Sequence, residues 1–471
     1  MTFQRDIPIN ITGPSYQSRS RPLASQQTQN FYQQLVPEGI DEFVLHSWFG
    51  LKTKSTAVIG AERGITKMAG IGYRIVDTTL YSFDSAGTHT SIGTISGTAR
   101  CIMSNDGFNL VIVVPAGTIY MYDGATLTVI TDTNITGSIA VTYLNSQMIY
   151  TNPPLFVVAN PGIPNVASGL NAASADSQPD ELLHAYVFQQ NVNMVGKGSV
   201  EPYWNTGEGN PPLARLDGQI IETGCAATYS IANTDEAMYW LGDDSSVWRM
   251  SGGSKQKVSS PAISNAIDGY STIDDAIGYT VTKEGQNFYI LSFPAANKTW
   301  ALAENLGDKG WFELSSDTIG GKYQITGVVN VYDEWWAVDD AGLYQLDINT
   351  YTNGGNTIQR RRTMGAISGK PFNKRGVSVQ LSKIKILMET GVGLISGQGE
   401  DPQIILEMSY DGGRSWKHYG FARIGRMGDW TIQVEFDILD TFYEAIPRIT
   451  TSDPVPYSIY SATIDLRIAG R

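Results

Sequence analysis

A chain of 471 residues is long for one domain and sets an expectation of roughly two to four. Hydrophobic residues make up 42% of it and aromatics 10%, enough for a large packed core, so wholesale disorder is excluded. With 33 Lys+Arg against 46 Asp+Glu the formal charge is −13, a surface that repels phosphate backbones and speaks against a groove-reading DNA-binding protein.

The opening MTFQRDIPINITG has no apolar stretch behind a basic start, so no secretory signal is read there. The longest purely aliphatic run, Leu110 to Val114, is far short of the about 20 residues that cross a bilayer, and no membrane span is expected. Cys101 and Cys225 read as small buried hydrophobes rather than a disulfide scaffold or zinc site. Residues 1–45 carry few strand signals and read as an N-terminal arm.

Residues 46–350 are different. Short runs rich in Val, Ile, Tyr, Thr and Trp alternate with Gly and Pro, which reads as many short strands separated by turns. A hairpin-like pattern, an apolar pair, a polar turn and a second aromatic-bearing strand, begins at Tyr73, Leu110, Met148, Asn193, Met238, Phe288 and Trp335. The starts are separated by 37, 38, 45, 45, 50 and 47 residues. That period matches the roughly 40 to 50 residues of a four-stranded propeller blade. The expected fold is therefore all-β, a β-propeller of six or seven blades with seven favoured; an array of β-sandwich hairpins is the alternative. One helix is expected, capped by Ser260 with Pro261 at its first position.

Residues 351–376 are Gly/Asn-rich and then basic, and read as a linker or exposed loop. Arg360, Arg361, Arg362, Lys370, Lys374, Arg375, Lys383 and Lys385 follow one another with no acid between Asp347 and Glu389. In so acidic a chain that asymmetry makes the first six candidate contacts for an acidic partner or a DNA backbone, against a solvated loop as the plain alternative. Residues 377–471 alternate with period two and are expected to form a β-sandwich-like domain.

Within that last domain lies EMSYDGGRSW, which fits the Asp box of sialidase-type propellers at Ser409, Asp411, Gly413 and Trp416, with Ser415 in place of Thr. The box is a turn device: its Asp accepts backbone amides and its glycines take positive φ. One copy outside the propeller repeats points to structure, not glycan cleavage. The four histidines form no metal-ligand spacing, and no nucleophile elbow or phosphate loop is present. The acidic pairs Asp243/Asp244, Asp274/Asp275 and Asp339/Asp340 are adjacent and expected in turns, where neighbouring side chains point apart. No catalytic residue, metal or cofactor is expected.

Three local patterns converge on one family. SRSRPLASQQTQNFYQQLVPEG, with Asn30, Tyr32 and Leu35-Val36-Pro37-Glu38, resembles the opening segment of the packaged-DNA stabilisation proteins of short-tailed phages, also called tail hub or nozzle proteins. ADSQPDELLHAYVF carries a turn similar to that family's at Ser177, Gln178, Pro179 and Asp180. EMSYDGGRSWKHYGFARIGRMGDW and RITTSDPVPYSIYSATIDL resemble its ending. The resemblance spans nearly the whole chain; one departure is SWFGLK at Ser47 to Lys52, where the family usually has a Pro-Gly-containing turn.

The resemblance implies a non-enzymatic virion protein of the tail, assembled in the host cytoplasm. Six copies would ring the tail axis below the portal and adaptor and form the channel through which packaged DNA is retained and then ejected, with transient, non-specific passage of the duplex. Tailspikes or fibres would attach outside, and a needle or plug would close the end. The alternative class is a carbohydrate-active, sialidase-like or glycan-binding propeller.

Overall fold

The computed structural model describes residues 3–20, 24–38, 41–175, 178, 180–316, 319–374 and 376–469. Seven antiparallel four-stranded sheets occupy 62–94, 102–129, 140–174, 182–215, 232–257, 277–313 and 327–347, the last completed by the strand Gly50–Ser55. Each repeated hairpin of the sequence is the middle pair of strands of one sheet, as with Leu110–Val113 against Ile119–Tyr122. Middle strands are covered on both faces, so they read as continuous apolar runs. In the second blade Leu110 and Ile112 pack toward the first blade, while Val111 and Val113 pack toward the third.

That division recurs around the ring. Seven separate apolar wedges each join two consecutive blades, and the wedge of Phe83, Val329, Trp336 and Val338 joins the seventh blade back to the first. The fold is thus a closed seven-bladed propeller. Its closing strand Gly50–Ser55 pairs antiparallel with Gly342–Asp347, so the outermost strand of the last blade comes from the beginning of the chain. Gly50 is required there, because a Cβ would lie 2.1 Å from the carbonyl oxygen of Thr350. The segment SWFGLK is therefore a seam and not a turn: Trp48, Phe49 and Leu51 are buried among Tyr32, Phe288 and Phe312. The helix forms at Pro261–Asp268, with Ser260 Oγ accepting from the Ile263 amide at 3.4 Å.

The second unit is a β-sandwich. Phe31–Leu35, Phe43–Ser47, Ser458–Ile468, Val379–Met388 and Val434–Phe442 make one sheet, and Phe3–Ile9 also pairs with Ser458–Ile468. Ser25–Gln29, Arg360–Thr363, Glu444–Thr451, Gln403–Ser409 and Lys417–Arg423 run side by side in the other. Leu381, Ile384, Leu406, Ile449 and Ile464 fill the space between them. Two expectations fail here. The first 45 residues are not a free arm, and residues 360–363 are not a loop; both supply strands to this sandwich. The strand Ser25–Gln29 has no apolar residue to mark it in the sequence, yet Gln29 is fully buried, its amide donating to Ser315 Oγ at 2.9 Å.

One residue ties the units together. Asn30 sits at φ +56° and is buried. Its Nδ2 donates to the carbonyls of Ser315 (3.0 Å) and Gln359 (2.7 Å), and its Oδ1 accepts from the Ser315 amide at 2.9 Å. Its own amide donates to Glu313, and its carbonyl accepts from Trp48. Blade six, the closing segment and the crossing to residue 360 meet at this one residue. Asn30→Ala should cost about 3 kcal/mol by urea unfolding, combining orphaned buried polar groups with an alanine at positive φ. Asn30→Gly should recover the backbone share only; a loss under about 1 kcal/mol for Asn30→Ala would remove the clamp.

His184, on the strand Leu182–Phe188, gives a second test of packing. The ring is buried against Tyr186, and burial pushes its pKa down from 6.5 to about 4. Above pH 6.5 it is neutral in both folded and unfolded chains. As pH falls from 6.5 to 4 the unfolded chain binds a proton that the folded one does not, so stability is lost across that window, by on the order of 3 kcal/mol. His184→Phe should flatten that part of the pH–stability curve; an unchanged slope by urea unfolding would contradict it.

Candidate interaction surfaces

The Asp box closes the hairpin between Gln403–Ser409 and Lys417–Arg423 at the edge of the sandwich. Asp411 Oδ1 accepts from the amides of Arg414 and Ser415 and from Ser409 Oγ, and Oδ2 accepts from Ser415 Oγ at 2.6 Å. These bonds, those from Ser415 foremost, hold the carboxyl well below the usual range. Gly412 and Gly413 take φ +74° and +85°. The guanidinium of Arg448 lies 3.8 Å from the centroid of the Trp416 ring and is itself bound to Glu407 at 2.7 Å. The carboxylate is spent on holding a loop, an arrangement with no acid–base chemistry in it.

The basic stretch does not form a continuous exposed patch. In the strand Arg360–Thr363 side chains alternate between faces, and Arg360 and Arg362 have no exposure at all. Arg360 lies 5.6 Å from the Tyr457 ring centroid and donates to the Ile358 and Tyr351 carbonyls. Arg362 donates to Thr28 Oγ1 at 2.6 Å and to the Pro14 carbonyl, while burial pushes its pKa down to about 9. Neither can meet a partner or DNA on this subunit's surface, which corrects the expectation for both. Lys370 and Lys374 are exposed, Arg361 is half-buried, and Arg375 lies outside the described residues. Lys383 pairs with Glu435 and Asp437, and Lys385 with Asp6 and Asp465, so acids missing from the local sequence arrive from neighbouring strands.

Of the turn motif in the fourth blade, Ser177 and Pro179 lie outside the described residues, and Gln178 is in a bend. Asp180 Oδ2 accepts from the Gly198 amide at 2.6 Å and from Ser199 Oγ, clasping the hairpin between Asn191–Gly196 and Val200–Asn205. The acidic pairs are likewise engaged in turns: Asp244 accepts from Ser246 and Trp248, Asp275 from the Ala295 amide, and Asp339 from Ala341 and Gly342. Among the described residues no three His, Cys, Asp or Glu side chains are grouped to hold a metal.

A feature absent from the sequence reading crosses the propeller axis. Tyr229, ahead of the fifth blade, donates from its hydroxyl to the Arg100 carbonyl at 2.7 Å. Arg100, ahead of the second blade, donates through Nη2 to Thr326, ahead of the seventh, also at 2.7 Å. Two side chains thus bond segments that lead into three well-separated blades, across the propeller axis.

Seven closed blades fused to a sandwich that takes strands from the N-terminal segment define an all-β propeller protein. The chain belongs to the phage-stabilisation family: residues 5–351 match the family described as "Bacteriophage P22 Gp10, beta-propeller". It is thus a structural bacteriophage protein that stabilises packaged DNA, and a component of the virion. Among solved structures it is similar to "Streptogramin B lyase structure", at 11% identity and TM-score 0.45, covering 64% of this chain and 98% of that one. BamB from Moraxella catarrhalis aligns at 10% identity and TM-score 0.40, covering 73% and 97%. The computationally designed Ika8 protein aligns at 12% and 0.38, covering 73% and 98%. No curated protein sequence matches the chain.

The burial of Arg362 makes a sharp contrast available. Arg362→Glu should remove about 3–5 kcal/mol and abolish cooperative thermal unfolding of the isolated subunit, since it places an unpaired carboxylate in a closed site. Lys370→Glu and Lys374→Glu should stay within about 0.5 kcal/mol of wild type. A stable Arg362→Glu subunit that fails only in assembly would return Arg362 to a surface role.

Proposed function

We propose that this protein is the ring-forming hub, or nozzle, subunit of a short-tailed phage tail: six copies below the portal and adaptor enclose the path by which packaged DNA is held and later ejected. The observation that carries the reading is the family match over residues 5–351, on a propeller whose own axis is spanned by Arg100 and Tyr229. In this reading the passage for duplex DNA is made between subunits. A ring needs heterologous interfaces that close, and two rigid units give each copy two differently shaped sides.

The charge balance supports a conduit. Every phosphate neutralised by a cation strengthens binding, so a lumen meant to release DNA gains from the net −13 of the chain, with its buried arginines kept off the surface. Tailspikes or fibres would dock on the outside of the ring and a needle or plug at its far end, after assembly in the host cytoplasm. The chemistry of the turns and clasps supports a mechanical role rather than a catalytic one.

Light scattering of the purified subunit, alone and with its adaptor–portal complex, tests the proposal. A hexamer, or a monomer that becomes hexameric on that complex, is the expected result; a protein that stays monomeric beside its adaptor would overturn it.

A further inference from the structure

The outer face of the second sandwich sheet holds a charge without a partner. Arg361 faces away from Arg360 and Arg362, into a cleft of about 210 Å³ shared with Gln27, Trp416, Arg448 and the Gly412–Gly413 turn. The strands that bring them together are Ser25–Gln29, Arg360–Thr363 and Glu444–Thr451, with Gln27 opposite Thr363 and Thr363 opposite Arg448. The neighbouring carboxylates are already engaged. Glu407 takes Arg448 through Nε and Nη2, at 2.8 and 2.7 Å. Glu313 takes the Gln27 amide at 2.9 Å and Lys298 at 3.7 Å.

Arg361 makes no hydrogen bond or ion pair with any described residue, and its buried Nε has no acceptor. Burial and then the like charge of Arg448 push its pKa down to about 10, so it remains a cation at neutral pH. A half-buried guanidinium with five donors and no acceptor is costly unless something supplies one. The charge count sets the class: two compensated pairs and one free cation leave a single positive charge, which a monoanion neutralises and a dianion overshoots. The planar fork of Arg361 matches the two oxygens of a carboxylate.

We propose that this cleft is a binding site for one carboxylate group, held by the guanidinium of Arg361 beside the Arg448–Trp416 stack. The inference does not depend on the tail-hub reading. The carboxylate has two sources, a free small acid or an acidic side chain of a second copy of this chain.

Isothermal titration of the full chain with sodium acetate, against sodium chloride and inorganic phosphate at equal ionic strength, tests the chemistry. Saturable acetate binding is expected, weakened at least about tenfold in Arg361→Gln and less in Arg361→Lys, which keeps the charge but loses the fork. Arg361→Gln should melt at or above the wild-type temperature, because it removes an unpaired cation; a merely structural Arg361 would melt lower. Light scattering separates the sources: if the group comes from a second copy, wild-type self-association should be reduced both by acetate and by Arg361→Gln. If the acid is free, self-association is indifferent to both while the titration still responds. No saturable acetate heat together with self-association indifferent to acetate and to Arg361→Gln, phosphate binding tighter than acetate, or full acetate affinity in Arg361→Gln would each overturn the site.

Discussion

Everything in the propeller depends on the pairing of Gly50–Ser55 with Gly342–Asp347. A blade buries its faces only against two neighbours, so a row of seven has two unburied ends unless the ring closes. Closure by a strand from the start of the chain replaces a contact between free ends with a ladder of backbone hydrogen bonds. It also covers the edge of the seventh blade, which would otherwise invite pairing with another chain. The wedge between blades six and seven is correspondingly the one enriched in aromatics, with Tyr32, Trp48, Phe49, Phe288 and Phe312 in mutual edge and tilted contacts.

The same segment binds the second unit. Ahead of the closing strand the chain has already contributed Ser25–Gln29 to one sandwich sheet and Phe31–Leu35 and Phe43–Ser47 to the other. Gln29 pairs with Glu313, so the outer strand of blade six continues into the sandwich without a break in the sheet. A hinge between the two units would have to break this pairing and the bonds of Asn30. The two units are thereby joined through backbone hydrogen bonds as well as through the chain. The cost is kinetic: pairings between distant parts of the chain must wait for both to be made, and high contact order slows folding.

Charge is managed by position more than by amount. Arg63 is buried with its guanidinium donating to the carbonyls of Ala99, Asp77, Ile95 and Ser96, so it acts as a strut between turns. Arg74 is buried against Glu62 at 2.6 Å between the first and seventh blades. Buried arginines of this kind hold irregular backbone where no regular ladder reaches. The chain as a whole stays acidic, with a formal charge of −13.

The sequence by itself determined the blade repeat, the positions of all seven middle hairpins, the capped helix at Ser260 and the family, because middle strands are apolar on both faces and turns need particular residues. It also carried the Asp-box clasp, whose bonds run between residues a few positions apart. Tertiary structure decided the rest: that Gly50–Ser55 closes the ring, that the polar Ser25–Gln29 is a central strand, and that Arg360 and Arg362 point inward while Arg361 does not. The physical reason is the range of the forces that choose. A polar strand is buried when distant groups take up part of its hydrogen bonding, as Ser315 does for the Gln29 amide and Thr28 for Nη1 of Arg362, and no local pattern records where those partners will come from.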